Sequence, residues 1–211
     1  MSKFNMKTLL ICFLIAVVSP LTAISAPREI IIMRHSDKLN SGEAGPALSA
    51  QGMMRSIKFA FYFLEKFGEP DYIIAADDQK SNGKEIAVRS IQTVAPLANM
   101  LQIRHPEFDF PIVHPYPSDD YQSLADYLLE EDQFDNKLVL ICWSHQRIAK
   151  LAAALGVTQS IPAWPKLDYD TVYILKYDET GNLIKFTELK NQFPVQLKGS
   201  WEELHRLLFA S

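Results

Sequence analysis

Arg34 and His35 follow an apolar run, Glu29-Ile30-Ile31-Ile32, and precede a polar stretch from Asp37 to Gly45. A short apolar run that ends in a polar loop reads as a buried strand, so a permanent cation and an imidazole stand at its carboxyl edge. Open α/β sheets place their reacting groups at that edge. Arginine and histidine also cap strands merely to meet solvent, so the pair alone does not decide for chemistry. A second histidine, His145, follows the strong strand candidate Leu138-Val139-Leu140-Ile141-Cys142-Trp143 almost directly. Parallel strands in one sheet would bring the two imidazoles to the same edge, although they are far apart in sequence. Imidazole is suited to nucleophilic attack and to proton transfer near neutral pH.

The elements that must position these groups alternate. Ser49-Ala50-Gln51-Gly52 opens a helix whose Met53, Ile57, Ala60, Phe61 and Leu64 follow helical spacing, and Gly68 and Pro70 mark its end. Asp71 to Ala76 is a second buried strand, followed by an amphipathic helix with Ile91, Val94, Ala98 and Leu101 on one side. Pro96 falls inside that helix and should bend it. Pro111-Ile112-Val113 is a short strand and Tyr121 to Glu130 a short helix. Lys137 to Trp143 leads into a helix with Ile148, Leu151, Ala152 and Leu155 on its apolar face. Thr171 to Leu175 and Leu183 to Phe186, joined around Thr180-Gly181-Asn182, read as an edge hairpin, and Trp201 to Phe209 as a closing helix. The expected fold is α/β, a three-layer sandwich with a mostly parallel central sheet, helices on both faces and right-handed crossovers.

The chain has 211 residues, 48% of them hydrophobic, enough apolar side chain for one sizeable core. Lys3 and Lys7, the apolar stretch Leu9 to Val18, and then Ser19-Pro20 with Ala23, Ser25 and Ala26 have the layout of a secretory signal peptide. Residues 1–25 are expected to be removed, leaving residues 26–211 as a single domain in a secreted or periplasmic protein. The apolar stretch spans about 15 Å, well short of a bilayer's hydrocarbon core, so no stable membrane insertion is expected after cleavage. Cleavage would leave 19 basic against 25 acidic residues, a net charge of −6, which makes nucleic acid a poor partner. Cys142 would be the sole remaining cysteine, buried in a strand and packing there, with no intrachain disulfide.

Several separated segments, in order, resemble those of the histidine phosphatase superfamily, which has the phosphoglycerate-mutase-like fold. Arg34-His35-Ser36-Asp37-Lys38 looks like its Arg-His-Gly or Arg-His-Ala-Glu-Lys opening, and Leu48-Ser49-Ala50-Gln51-Gly52 like its Leu-Thr-x-x-Gly helix start. Val88-Arg89-Ser90-Ile91-Gln92-Thr93 looks like Arg-Ala-x-Gln-Thr, and Trp143-Ser144-His145 like the second histidine motif. Ala163-Trp164-Pro165 and Tyr169-Asp170-Thr171-Val172-Tyr173 resemble the later part of the branch with the Arg-His-Ala-Glu-Lys opening. The resemblance implies a phosphatase acting on a small phosphorylated substrate, with His35 as nucleophile and Arg34, Arg89 and His145 clamping the phosphoryl group. Chemistry rationalises these types: a neutral imidazole attacks phosphorus, and planar, permanently charged guanidinium groups hold the equatorial oxygens. Neither a metal nor another cofactor is expected. A protonated His145 beside a dianion should have a raised pKa.

The proton donor to the leaving oxygen is open at this level. Asp119 and Asp120 lie between the second arginine and the second histidine, where related enzymes often draw the acid, yet both equally suit capping of the helix from Tyr121. Asp37 and His114 are rivals. Ser36 stands where the family has glycine or alanine, Gln146 where it often has glycine, and the stretch Asp77 to Lys84 is longer than its usual counterpart. Ser36, Lys38 and Ser81 are candidate substrate contacts, and Trp164, Asp168 and Asp170 are expected to pack and fix a loop. A phosphomutase or a non-catalytic module binding phosphate esters or phosphoproteins would use the same residues. The sequence carries no signature of oligomeric state.

Overall fold

A computed structural model describes residues 26–38, 45–77, 79 and 88–192. The leader, Ser81 and the expected closing helix from Trp201 to Phe209 lie outside the described residues. Among the described residues six strands, β1 (Glu29–Arg34), β2 (Tyr72–Ala75), β3 (Ile112–Val113), β4 (Leu138–Trp143), β5 (Val172–Tyr177) and β6 (Leu183–Leu189), form one sheet in the order β3-β2-β4-β1-β5-β6. The first four are parallel, and β5 runs antiparallel to both β1 and β6, which makes the expected edge hairpin. Among the described residues four α-helices accompany them: α1 (Ala50–Phe67), α2 (Arg89–Arg104), α3 (Tyr121–Glu130) and α4 (Ile148–Ala154).

The central strands β1, β2 and β4 are apolar runs because both faces of the sheet are covered there, whereas the edge strand β6 alternates with polar residues and stays partly exposed. Alternation divides their side chains between two cores. Ile31, Met33, Ile73, Ala75, Leu138, Leu140 and Cys142 pack with Phe59 and Phe63 of α1 and Val94, Leu97 and Leu101 of α2. Ile30, Ile32, Ile74, Val139, Ile141 and Trp143 face the other way, onto Leu124 and Leu128 of α3 and Ile148 and Leu151 of α4. Each such fully buried side chain contributes roughly 1.5–3 kcal/mol relative to exposure. Burial also pushes the Cys142 thiol up to about 12, so it packs as a neutral group.

Helix boundaries follow local chemistry. The Ser49 hydroxyl caps α1 by accepting from the Gly52 N–H at 3.1 Å, and Gly68 ends it with φ of 83°. α2 runs through Pro96 without interruption. β1 and β4 are neighbours in register, Arg34 opposite Trp143. β1 leads to α1 on one face while β4 leads to α4 on the other, so the chain leaves the sheet in opposite directions at their carboxyl ends. A crevice opens where such neighbours diverge.

Candidate active site

A cleft of about 180 Å³ occupies that crevice, lined by His35, Lys38, Ala76, Asp77, Arg89, Ser90, Ser118, Ser144, His145 and Gln146. His35 emerges from β1 and is held to β4 by its backbone N–H, which donates to the Trp143 carbonyl at 3.3 Å. Its Nδ1 lies 2.8 Å from the Ser36 carbonyl, an oxygen that only accepts, so Nδ1 carries the proton and Nε2 keeps its lone pair. Burial, opposed by that hydrogen bond and aided by the charges of Arg34, Arg89 and His145, lowers the His35 pKa to about 3. The ring is neutral at physiological pH.

Arg34, next to His35, is 1% exposed and stands outside the cleft lining. One Nη donates to the Lys166 carbonyl at 2.6 Å and the Asp168 carbonyl at 3.1 Å, and the guanidinium stacks 4.0 Å from the Tyr169 ring centre. Among the described residues its Nε and other Nη, both buried, have no hydrogen-bond partner, nor has His145 Nδ1. Leaving such a group unsatisfied costs about 1–3 kcal/mol, more for a charged one, so these donors suit an anion that accepts several hydrogen bonds. Arg89 starts α2, its Nε donating to the Ala47 carbonyl at 3.2 Å and an Nη to Gly45 at 2.5 Å. Those two carbonyls fix the fork at the cleft wall.

His145 is pulled down to about 4, chiefly by burial and then by Arg34, Lys38 and Lys166. The expected rise concerned a dianion beside it; burial, with the cationic walls added, does the opposite. Lys38 also has a lowered pKa, through partial burial and the charges of Arg89, Arg34 and Lys166. Because both histidines titrate below their ordinary 6.5 in the folded protein, the unfolded chain takes up protons first as pH falls. The contribution of these two rings to stability is therefore full above pH 6.5 and declines toward pH 3. NMR titration should show the His35 and His145 rings neutral from pH 7 down to 5, with the thermal midpoint falling over that range. A midpoint near 6.5 for His35 would contradict its burial among cations.

Three expectations need correction. Ser36 does not reach the cleft: it is fully buried, its N–H donates to Thr93 Oγ1 at 2.9 Å, and Ser56 Oγ lies 3.3 Å from its hydroxyl. Past the end of β1 the strand alternation stops, and Ser36 turns toward α1 and α2 while His35 lines the cleft. Asp119 and Asp120 are half-buried outside the cleft lining, where Ser118 alone represents their segment. The chain turns there into α3, and Asp120 accepts from Ser123 Oγ at 2.7 Å at the start of that helix. Asp37, the rival, is 8% exposed and held by Arg55, whose Nε lies 2.5 Å from Oδ2 and Nη2 3.3 Å from Oδ1. Its carboxylate bolts α1 to the β1 exit.

Sequence reasoning passed over Asp77 as the start of a long loop, and Tyr169 as part of a motif. Only sheet order brings Asp77 to the cleft, since β2 lies beside β4. The segment from Trp164 to Thr171 does pack and fix a loop. Trp164 Nε1 donates to the Asp168 carbonyl at 3.0 Å, and the Asp168 carboxylate accepts from the Asp170 and Thr171 N–H groups and the Thr171 hydroxyl. The fixed turn presents the carbonyls that hold Arg34. Among the described residues, no three His, Cys, Asp or Glu side chains gather into a metal-holding group, and no helix is long and apolar enough to cross a membrane.

The same fold occurs in a solved phosphatase. The protein histidine phosphatase SixA, complexed with tungstate, superimposes with a TM-score of 0.54 at 17% identity, covering 77% of this chain and 96% of SixA. A phosphoserine phosphatase from Entamoeba histolytica matches at 12% identity over 79% of this chain and 99% of its own, TM-score 0.44. A phosphoglycerate mutase from Bacillus anthracis matches at 11% over 81% and 95%, TM-score 0.45. No family model and no curated protein matches the sequence. The chain has the fold of the protein histidine phosphatase SixA.

Proposed function

We propose that the chain is an exported phosphatase that cleaves a small phosphate monoester through a phosphohistidine on His35, with no metal ion. One observation carries this reading: a neutral His35 with Nδ1 tied to a carbonyl and Nε2 left as nucleophile, set among Arg34, Arg89, Lys38 and His145. Nε2 attacks phosphorus in line with the leaving oxygen, and the guanidinium groups hold the equatorial oxygens as charge spreads over them. Side-chain cations thus supply the charge neutralisation that a divalent ion supplies elsewhere. An entering dianion raises the pKa of His145, which then donates to a phosphoryl oxygen. SixA was solved with tungstate, a phosphate-like oxyanion. The leader pattern of residues 1–25 supports export.

The exported protein, beginning at Ala26, should release phosphate from p-nitrophenyl phosphate in EDTA. Activity lost in EDTA and restored by a divalent ion would overturn the metal-independent mechanism. Dependence on a bisphosphorylated activator, with phosphate returned to product, would make it a mutase; binding of phosphate esters without turnover would make it a binding module.

A further inference from the structure

On the phosphatase reading above, we propose that Asp77 is the proton donor to the leaving oxygen and then the base that activates water. Asp77 is the one carboxyl side chain among the described residues that line the cleft. The other nearby carboxylates are engaged elsewhere: Asp37 by Arg55, Asp120 by Ser123, Asp168 by its own turn. Placement follows from topology. Asp77 follows β2, on the far side of β4 from β1, so His35 and Asp77 stand on opposite sides of the strand that delivers His145. A nucleophile and an acid on opposite sides of the phosphoryl group is what in-line displacement requires.

The backbone at Asp77 is fixed. Its N–H donates to the Tyr116 carbonyl at 3.0 Å, and it forms a parallel bridge with Pro117. That loop is anchored in turn by Trp143 Nε1, which donates to the Ser118 carbonyl at 3.1 Å. His114 Nδ1 lies 3.8 Å from Asp77 Oδ1, with its ring half exposed. The half-exposed histidine is a positioning residue for the carboxyl group, and the remaining cleft lining is Lys38, Arg89, the two imidazoles, three serine hydroxyls, the Ala76 methyl and the Gln146 amide.

In the first half-reaction the bond from His35 Nε2 to phosphorus forms as the phosphorus–oxygen ester bond breaks, and the leaving oxygen takes the Asp77 carboxyl proton to depart as an alcohol. In the second, the Asp77 carboxylate takes a proton from water as the water oxygen bonds to phosphorus and the phosphorus–nitrogen bond breaks. Neutral His35, protonated Asp77 and inorganic phosphate result, so protons and charge balance.

The test exploits leaving-group basicity, because nitrophenolate departs without a proton and an alkoxide does not. Asp77→Asn should lower kcat/KM for glycerol phosphate about 10²-fold or more, and for p-nitrophenyl phosphate less than about fivefold. Asp77→Glu should recover part of the alkyl activity, while Asp119→Asn and Asp120→Asn leave the ratio unchanged. An equal fall on both esters, no fall on the alkyl ester, or a split that appears at Asp119 or Asp120 instead would overturn the assignment alone. Wild-type protein that turns over neither ester would overturn the phosphatase reading and this assignment with it.

Discussion

His35→Ala should lower kcat for p-nitrophenyl phosphate by at least about 10⁴-fold while the protein stays folded and still binds tungstate. The two expectations separate because the side chain has two distinct relations to its surroundings. Its Nε2 is the only atom assigned to bond formation, and no neighbour replaces it: Ser36 is turned toward α1, and Cys142 is buried with its thiol held neutral. The clamp, in contrast, survives the truncation. Arg34 is fixed by two carbonyls and the Tyr169 ring, and Arg89 by the Ala47 and Gly45 carbonyls, none of which depends on His35. Anion affinity should therefore change less than about tenfold, measured by calorimetry. Removing a buried ring that resists protonation also removes a penalty at low pH, so the variant should lose less stability than wild type between pH 6.5 and 4. Acid-labile phosphate trapped on wild type and absent from the variant would identify the intermediate. Undiminished turnover by a folded His35→Ala protein would sink the nucleophile assignment.

Gly52→Ala should destabilise the protein by about 3 kcal/mol and cut the activity of the remaining folded protein by about 10². A Cβ at position 52 would lie 2.2 Å from the Asp37 carbonyl oxygen and 3.0 Å from its carbon and nitrogen, all backbone atoms that no rotamer change can move. The carbonyl is pinned in place, because the Ser49 N–H donates to it at 2.9 Å and the Ser49 hydroxyl at 3.2 Å. Either α1 or the Asp37 peptide must shift. Moving that peptide disturbs the adjoining Ser36 carbonyl, which selects the His35 tautomer, so a stability defect reaches the reacting nitrogen. Gly45→Ala is the control: no described atom lies within 4 Å of its Cβ position, and the expected change is within about 0.5 kcal/mol. Urea denaturation and kcat measured on the same samples would separate the two effects. A Gly52→Ala protein as stable and active as wild type would show that α1 can slide without cost.

The glycine illustrates how unevenly the site was legible. Its identity in the helix start was visible in sequence, but the reason for it, a helix resting directly on the Asp37 backbone, depends on an approach that only packing creates. Strands β1, β2 and β4 were legible because burial on both faces demands continuous apolar runs, and α1 because a half-buried helix leaves a 3.6-residue period. Boundaries slipped where pairing extended a strand beyond its apolar core: β5 reaches Tyr177 and β6 reaches Leu189, because ladder hydrogen bonds continue where the hydrophobic signal has faded. The acid candidates were misplaced for a different reason. Asp119 and Asp120 were chosen by their position between the second arginine and second histidine, and sequence order does not say where a turn aims its side chains.

Local chemistry therefore determined the types and the edge: a histidine and an arginine ending β1, a histidine ending β4, and elements that alternate so that both ends fall together. Those properties depend on neighbours within a turn or a strand, which a sequence displays directly. The tertiary structure alone decided which nitrogen of His35 is free, which N–H groups of Arg34 lack partners, and that Asp77 rather than Asp119 or Asp120 borders the cleft. Each of these rests on contacts between residues distant in the chain. The order of strands across the sheet sets them, and burial then fixes their protonation.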